Sequence, residues 1–355
     1  MIYYLVTKPF SNTIRSFLAT WGKALKPRVR VIPYHKAFRQ RHFSPGTYIF
    51  SDIERLSVRE TGYAASIHDA LTARWGNRFR LLNHPTRSMK RYELLRTLYN
   101  AGINSHNVFR VTEGRLPERY PVFIRGADDH GGAATALIHS EAELRNEIDL
   151  LDRRGISRED KIIVEFCDTA DSSGIYRKYS ALNIDGTIIP RHVCSSREWQ
   201  VKFPDLSSPE LIREELDFIS HNGHRAELKR IFALAGIRYG RIDYGMRNGS
   251  IRVWEINTYP RIASFVSAEN PARERTHNRF IEKIRQAFET LDNCSAADAG
   301  RTKNPVRKEL YRHKALDHAK YIGESILFLL PLPPRHNGLI RSKLVAIKDR
   351  IVNSQ

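Results

Sequence analysis

Three oxygen-bearing side chains close to residue 250 have the types and the spacing of a site for a hard divalent cation. Glu255 and Asn257 are two residues apart, so they share a face of the sheet if this segment is a β-strand. Asp243 lies in an earlier apolar segment, across an Asn-Gly turn from the other two. A hairpin in water has no need of this trio, and a buried hairpin needs its charge neutralised. Two carboxylates and an amide oxygen that converge are typical ligands of Mg²⁺.

These side chains must be positioned by a β-hairpin. We predict its strands at Ile237–Met246 and Ile251–Asn257, joined by a turn at 247–250, because Asn-Gly adopts positive φ at low cost. A second hairpin is predicted upstream, with strands at Ile175–Ile184 and Thr187–Cys194.

The first 83 residues alternate between apolar strands and helical segments. This alternation predicts a three-layer α/β domain with a parallel sheet. The predicted strands and helices are Ile2–Val6, Asn12–Leu25, Val29–Pro33, Thr47–Phe50 and Arg59–Trp75.

The rest of the chain is predicted to form three further parts, which are a domain at 84–292, a polar linker at 293–308 and a basic helical extension at 309–355. Within the domain we place a small lobe at about 105–170 and a large lobe at about 171–292. The small lobe is predicted to contain a strand at Ala134–His139, and the large lobe a single helix at Glu210–Ala235.

Composition limits the class of protein. The chain has 355 residues and 41% hydrophobic content, enough for two or three domains. Its three cysteines are irregularly spaced, which argues against a disulfide framework and a cysteine-ligated zinc, and fits a reducing compartment. The first residues lack the layout of a signal peptide, and no run approaches the ~20 apolar residues that span a bilayer. We therefore expect a soluble, cytoplasmic protein.

Positive charge is in excess along the chain. The 58 Lys and Arg exceed the 39 Asp and Glu by 19, which favours a polyanionic partner such as nucleotide phosphates, nucleic acid or anionic lipid. The excess is spread widely, and this disfavours nucleic acid, for which a single basic stripe is typical. General solubility explains the charge equally well. The extension 309–355 is either a peripheral contact with an anionic membrane surface or a packed or mobile tail.

Two segments have features of a nucleotide site. Glycines in the loop 126–133 let backbone N–H groups approach phosphate oxygens, and Arg125 before them balances phosphate charge. The apolar segment Lys161–Cys167, with Asp171 after it, suits a purine pocket and a ribose hydroxyl. Each segment also has an ordinary interpretation, as a hairpin loop or a core strand, because no Walker A or G-x-G-x-x-G pattern is present.

Basic side chains on the upstream hairpin offer contacts for an anion. Arg177, Lys178 and Arg191 can clamp a triphosphate or a substrate carboxylate, or they can lie on a solvated surface.

The histidines do not form a zinc pattern and are interpreted as surface or turn residues. Those considered, none of which has a His or Cys partner at ligand spacing, are His84, His106, His130 and His192.

Taken in chain order, these parts resemble the ATP-grasp superfamily. A strand with a basic end, a glycine loop, a strand that ends in a hinge, a basic hairpin and an Asp…Glu-x-Asn hairpin follow one another over about 83–290. The sharpest piece, Trp254–Pro260, resembles the Glu-x-Asn-x-x-Pro signature of ligases such as D-alanine–D-alanine ligase and glutathione synthetase. The resemblance implies an α/β (α+β) ATP-grasp fold, with the N-terminal α/β domain as a pre-grasp domain.

The resemblance also implies roles for particular residues. Asp243, Glu255 and Asn257 would hold one or two Mg²⁺, or Mn²⁺, that bridge the phosphates of ATP. The positions implied for the nucleotide are Lys90 or Arg91, Arg125, Gly131, Gly132, the adenine hinge Glu165, Phe166 and Cys167, the ribose ligand Asp171, and Lys178. The positions implied for catalysis at the phosphates or the substrate are Arg177, Arg191 and Arg261.

The implied activity is that of a Mg²⁺-ATP-dependent ligase, which converts a carboxylate into an acyl-phosphate for attack by an amine. Its substrates would be small molecules or peptides. The chain departs from the family at Arg125, where a lysine is usual, and at the acidic pair Asp128 and Asp129 in the glycine loop. Two alternatives stay open, which are a kinase of the same fold and a protein that binds nucleic acid or a membrane surface through its basic charge.

Overall fold

The computed structural model describes residues 1–129, 131–202, 205–262, 271–292 and 300–312. The predicted extension 309–355 therefore lies outside the described residues except for its first four positions, and the predicted linker 293–308 is described only from residue 300. His130 also lies outside them.

Contacts within the chain form two compact units. The first combines Met1–Leu94 with Asp168–Arg312, and the second contains Leu95–Cys167. Each unit has its own sheets and its own buried core.

The first unit begins with a four-stranded parallel sheet in the order β2-β1-β4-β5. Its elements in chain order are β1 (Ile2–Val6), α1 (Asn12–Ala19), β2 (Val29–Pro33), α2 (Tyr34–Ala37), β3 (His42–Phe43), β4 (Thr47–Phe50), α3 (Val58–Trp75) and β5 (Leu81–Leu82). Strand β1 is buried along its whole length, as expected for a parallel sheet that is covered on both faces. The predicted α/β class is confirmed.

Helix α1 is shorter than predicted. It ends at Ala19, whereas the sequence pattern predicted a helix that continues to Leu25. The N–H of Gly22 donates to the carbonyl of Phe17 at 2.8 Å, and a Cβ on this glycine would lie 2.6 Å from the Phe17 ring. The chain therefore folds back over Phe17 at a position where only glycine fits.

The second unit contains a three-stranded antiparallel sheet in the order β6-β8-β7. Its elements, together with the helix that leads into it from the first unit, are α4 (Arg91–Asn100), β6 (Val108–Arg110), β7 (Val122–Gly126), α5 (Glu141–Arg153) and β8 (Lys161–Glu165). Apolar residues from β7, α5 and β8 form its core.

The strand predicted at Ala134–His139 is wrong, since this segment forms one isolated bridge to β7, between Ile138 and Val122, and no continuous ladder. The N–H of Ile124 in β7 bonds to the side-chain hydroxyl of Thr135 at 3.1 Å. A side chain thus takes the position of the backbone carbonyl that a continuous ladder would need.

The first unit resumes with a four-stranded antiparallel sheet in the order β10-β9-β11-β12. Its elements in chain order are β9 (Tyr176–Ile184), β10 (Thr187–Ser196), α6 (Pro209–His221), α7 (Arg225–Leu234), β11 (Tyr239–Arg247), β12 (Ser250–Asn257), α8 (Pro271–Leu291), β13 (Thr302–Lys303) and α9 (Arg307–Arg312). Strand β13 pairs with β3 as a separate two-stranded sheet. In the part of the chain that the structure describes, none of the helices has the length and apolar character needed to cross a membrane.

Two turns in this region show how single residues determine where a strand or a helix ends. Asn248 and Gly249 have φ of 51° and 72°, as predicted for the tight turn of the hairpin. The single helix predicted at Glu210–Ala235 is instead two helices, α6 and α7. Asn222 ends α6 with a left-handed φ of 42°, which no continuous helix allows.

Asn83 connects the parallel sheet to β11, the strand that carries Asp243. Its amide donates to the carbonyl oxygens of Phe50 at 3.1 Å and Tyr239 at 2.7 Å. Its Oδ1 accepts the N–H groups of Arg238 and Tyr239, both at 2.9 Å. The side chain is buried, and its backbone has a positive φ of 64°. One carboxamide therefore satisfies buried backbone groups of both sheets.

We expect Asn83→Ala to lower the free energy of unfolding by about 2–3 kcal/mol, because a buried polar group that loses its partner costs about 1–3 kcal/mol. Asn83→Gly removes the same hydrogen bonds but tolerates the positive φ, so it should be more stable than the alanine variant by about 1 kcal/mol. Urea denaturation of the three proteins measures both differences. An alanine variant as stable as the unchanged protein would contradict this linking role.

Candidate metal centre

The hairpin formed by β11 and β12 places the predicted metal ligands on one surface. Asp243 pairs directly with Glu255, and Arg241 pairs directly with Asn257. Direct cross-strand partners share a face of a sheet, as do residues two apart on one strand. All four side chains therefore belong to one face, which we call the hairpin face.

A β-bulge next to Asp243 shapes the hairpin face. The register shifts after Asp243, so that Tyr244 pairs with Val253 and Trp254 is the additional residue of β12. Gly245 permits this arrangement, because a Cβ there would lie 3.0 Å from the Trp254 ring. Bulges of this kind are common beside functional sites, where they change the direction of a side chain.

Asp243 is buried and is held by Arg241. The Nε and Nη2 atoms of Arg241 donate to the two carboxylate oxygens, both at 2.9 Å, and the hydroxyl of Ser180 also donates to this carboxylate. Burial by itself lowers the pKa of Arg241, but the charge and hydrogen bonds of Asp243, and then the charge of Glu255, outweigh it and raise the pKa. Arg241 is therefore a cation held beside both carboxylates.

The other two candidate ligands are also oriented by neighbours. Glu255 forms an ion pair with Arg91, whose side chain is only 6% exposed. The Oδ1 of Asn257 accepts the N–H of Tyr259 at 2.8 Å. The negative charge of the site is thus compensated by arginines, as burial requires. Two carboxylates and an amide oxygen are a set of hard donors that fits Mg²⁺ or Mn²⁺, and such a cation competes with Arg91 and Arg241 for these oxygens.

Arg191 is a further cation of this sheet and is half-buried. It lies where the register of β10 shifts, and its guanidinium stacks over the ring of Phe280 at 4.3 Å. Burial, and then the charge of Arg241, lowers the pKa of Arg191 to about 10. Arg191 is therefore still protonated at neutral pH.

The neighbouring positions Arg177 and Lys178 belong to opposite faces of β9. Lys178 shares the hairpin face, because it is two residues from Ser180, the register partner of Asp243. Arg177 lies on the other face, where its Nε donates to Glu214 at 2.7 Å. The structure thus separates Arg177 from the metal candidates.

Three more predicted site residues of the first unit lie outside strands β11 and β12. Asp171 accepts a bond from Arg177 at 2.6 Å, and this bond, with two backbone N–H groups, lowers the pKa of Asp171. Lys90 precedes α4, and its backbone carbonyl accepts the N–H of Leu94 at 2.8 Å. Arg261 is exposed and follows the end of β12 by four residues.

The predicted phosphate loop lies in the second unit and contains its own anion. The carboxylate of Asp129 accepts the N–H of Gly131 at 3.0 Å. Gly132 has a φ of 91°, which requires glycine. Arg125 is half-buried in β7, at the start of this loop. A phosphate at this loop therefore competes with Asp129 for backbone N–H groups.

The predicted adenine hinge ends the second unit. Glu165 is buried, accepts the N–H of Asn107 at 2.8 Å and forms an ion pair with Arg119. The N–H of Phe166 donates to a backbone carbonyl at 2.9 Å. Cys167 is buried and is the last residue before the chain returns to the first unit. The carboxylate of Glu165 and the N–H of Phe166 thus have partners inside their own unit.

Sequence reasoning missed Arg241, although a signal for it was present. Arg241 is two residues before Asp243 on a predicted strand, so the two side chains share a face. The pairing of Arg91 with Glu255 had no comparable signal, because 164 residues separate them.

Comparisons with known proteins give a likeness to ligases. No family model matches the chain, and neither does any curated protein. Among solved structures, the D-alanine–D-alanine ligase of Coxiella burnetii is similar at 12% identity and a TM-score of 0.47, over 88% of this chain and 98% of that one. D-cycloserine synthetase DcsG is similar at 16% identity and a TM-score of 0.46, over 81% and 99%.

A third similar structure is a RimK domain protein of the ATP-grasp type from Sphaerobacter thermophilus, at 13% identity and a TM-score of 0.44, over 82% of this chain and all of that one. The three structures are a ligase, a synthetase and an ATP-grasp protein. Because every TM-score is below 0.5, the activity of this chain has to be argued from its own residues.

Proposed function

We propose that this chain is a Mg²⁺-ATP-dependent ligase of the ATP-grasp type, which activates a carboxylate for attack by an amine. The observation that carries the proposal is the hairpin face, where Asp243 lies opposite Glu255 and Asn257 follows on the same side. Sheet register brings these donors together in the order Asp…Glu-x-Asn, and Pro260 completes the signature that the sequence resembles.

Asp243, Glu255 and Asn257 are the residues that would hold the metal. Mg²⁺, or Mn²⁺ in its place, neutralises phosphate charge and orients the transferred phosphoryl group when it is bound. The hydrogen bond from Tyr259 keeps the amide oxygen of Asn257 in one orientation. The two carboxylates supply the negative charge that a hard cation needs.

The arginines of the site are suited to the charge that develops during phosphoryl and acyl transfer. Arg241 is fixed by two hydrogen bonds to Asp243, so it presents its charge in a defined geometry. Arg191 is half-buried and protonated at neutral pH, which suits a contact with a substrate carboxylate or a phosphate. Pre-organised cations of this kind stabilise a transition state without reorganising. No side-chain nucleophile is needed for such a reaction.

The proposed setting is a reducing one, the cytoplasm, with a small molecule or a peptide as the carboxylate and amine substrates. Cys167 and Cys194 are buried free thiols, and burial raises the pKa of Cys194 to about 11. Cys194 is therefore a thiol and not a thiolate at neutral pH, which agrees with a chemistry that does not use it.

A screen for ADP release tests the proposal. The full chain is incubated with ATP and Mg²⁺ and with pairs of carboxylate and amine compounds, amino acids and short peptides first. We expect ADP release that requires Mg²⁺ and both substrates, with a product whose mass equals their sum less one water.

The outcomes of this screen separate the alternatives. A phosphorylated product formed without an amine identifies a kinase. Calorimetry that detects no metal-dependent ATP binding refutes the ligase and the kinase together. Strongly salt-dependent binding to nucleic acid or to anionic vesicles then supports a protein that acts through its basic charge.

A further inference from the structure

Two histidines and an aspartate on the parallel-sheet side of the first unit form a compact cluster. Asp69 accepts from Nε2 of His84 at 3.0 Å, and its Oδ1 lies 3.8 Å from Nδ1 of His68. The two imidazole rings are 4.4 Å apart, and one ligand atom from each of the three residues lies within 4.8 Å of the others. Among the described residues, this is the one group of three His, Cys, Asp or Glu side chains found that close together.

The sequence predicts a surface or turn residue at His84, whereas the structure places its side chain in this cluster. The side chains of His68 and His84 are 12% and 11% exposed, whereas Asp69 is 59% exposed. His68 and Asp69 lie on α3, and His84 follows Asn83 after β5. The histidines are therefore held by the fold, and the aspartate leaves the cluster open to ions from solvent.

The hydrogen bonds of His84 decide which of its two ring nitrogens faces the cluster. The backbone N–H of Thr86 donates to Nδ1 of His84 at 3.3 Å, so the proton of this ring is on Nε2, which donates to Asp69. A metal ion at Nε2 therefore displaces that proton.

The dimensions also suit a small transition-metal ion. Donors of a tetrahedral zinc site lie about 3.3 Å apart, since Zn–N and Zn–O distances are about 2.0–2.2 Å. The distances of 3.0 Å and 3.8 Å to Asp69 are on either side of that value. Small rotations of the side chains therefore bring the three donors to one ion, with water as the remaining ligand.

The simpler interpretation is a hydrogen-bonded His–Asp pair. His221 and Asp217 form such a pair at 2.7 Å, with both side chains more than 70% exposed. The cluster at His84 differs from it in having a second histidine and in burying both rings. The positive charge of Arg87 acts on His68 and opposes a cation in the cluster. A metal ion that binds there must therefore form strong bonds to nitrogen.

The geometry points to a binding site for one zinc-type ion, formed by His68, Asp69 and His84. Its nitrogen donors select Zn²⁺, Co²⁺ or Ni²⁺ over Mg²⁺, which distinguishes this site from the oxygen donors of the hairpin face. Bound metal joins α3 to the segment that starts at Asn83, the residue that anchors β11. Metal binding is therefore expected to stabilise the fold of the first unit.

Zinc titration of the full chain, stripped of metal and lacking a polyhistidine tag, tests the site. The titrant is ZnCl₂ alone, and calorimetry counts the equivalents in the presence and absence of millimolar Mg²⁺. We expect an equivalent of Zn²⁺ that Mg²⁺ does not displace, together with a higher melting temperature. Asp69→Asn should weaken this equivalent at least tenfold, and His84→Asn should remove it.

The matched control is His221→Asn, which removes the exposed His–Asp pair and should leave the zinc equivalent unchanged. Asp69 is exposed, so Asp69→Asn remains informative even if His84→Asn does not fold. Visible absorption of the Co²⁺-loaded protein reports whether nitrogen ligands are bound, and this signal should need at least tenfold more Co²⁺ in Asp69→Asn and be lost in His84→Asn. The proposal is overturned if the unchanged protein and Asp69→Asn bind the same number of Zn²⁺ with the same affinity.

Discussion

Replacing Glu255 with glutamine is expected to lower Mg²⁺-dependent ADP release by about 10²–10³-fold, because the proposed metal site loses one of its two charged ligands. Glutamine has nearly the same shape as glutamate and retains an oxygen that accepts from Arg91, the ion-pair partner of Glu255. The free energy of unfolding should therefore fall by only about 1–2 kcal/mol. The measurement is ADP release at saturating ATP over a range of Mg²⁺ concentrations, with a melting curve for each protein.

The control for this variant is Glu60→Gln, which removes the charge of another buried carboxylate. Glu60 accepts hydrogen bonds from the backbone N–H and the hydroxyl of Ser57 at the start of α3, away from the hairpin face in its contacts. We expect Glu60→Gln to lower stability by a similar amount and to leave the rate of ADP release unchanged. Full turnover by Glu255→Gln would refute the metal assignment.

Local rules account for the parts of the fold that were predicted well. The tight turn at Asn248 and Gly249 requires two residues that tolerate positive φ, and the sequence provides them. That turn sets the register of β11 and β12 as far as Tyr244 and Val253, and the β-bulge at Trp254 then places Asp243 opposite Glu255. A hairpin is short in sequence, so its geometry follows from a few neighbouring residues.

Contacts between distant residues account for what the sequence did not reveal. Arg91 reaches Glu255 on β12 from helix α4, and His84 reaches Asp69 on α3 from the segment after β5. No periodicity connects such partners, because their proximity depends on how whole elements pack. The interruption at Asn222 was missed for a different reason, since one left-handed residue ends a helix whose apolar pattern continues.

Arg241→Met is expected to destabilise the protein by about 3–5 kcal/mol, because it leaves the buried carboxylate of Asp243 without its main partner. The side chains of Arg241 and Asp243 are 18% and 7% exposed, so water compensates the loss only in part. Adding Asp243→Asn to this variant removes the unpaired charge and should recover most of the lost stability. The coupling free energy from this double-mutant cycle measures the pair itself.

The Arg241→Met variant also distinguishes two roles of the Arg241–Asp243 ion pair, a structural role alone and a role in a cation site. If Asp243, Glu255 and Asn257 bind Mg²⁺, the ion can replace the charge that Arg241→Met removes. Millimolar Mg²⁺ should then raise the melting temperature of Arg241→Met more than that of the unchanged protein, since only the unchanged protein has an arginine to displace. Adding Asp243→Asn should abolish this Mg²⁺ effect. An equal response of all three proteins to Mg²⁺ would mean that Arg241 and Asp243 form only a structural ion pair, and the hairpin face would have no metal site.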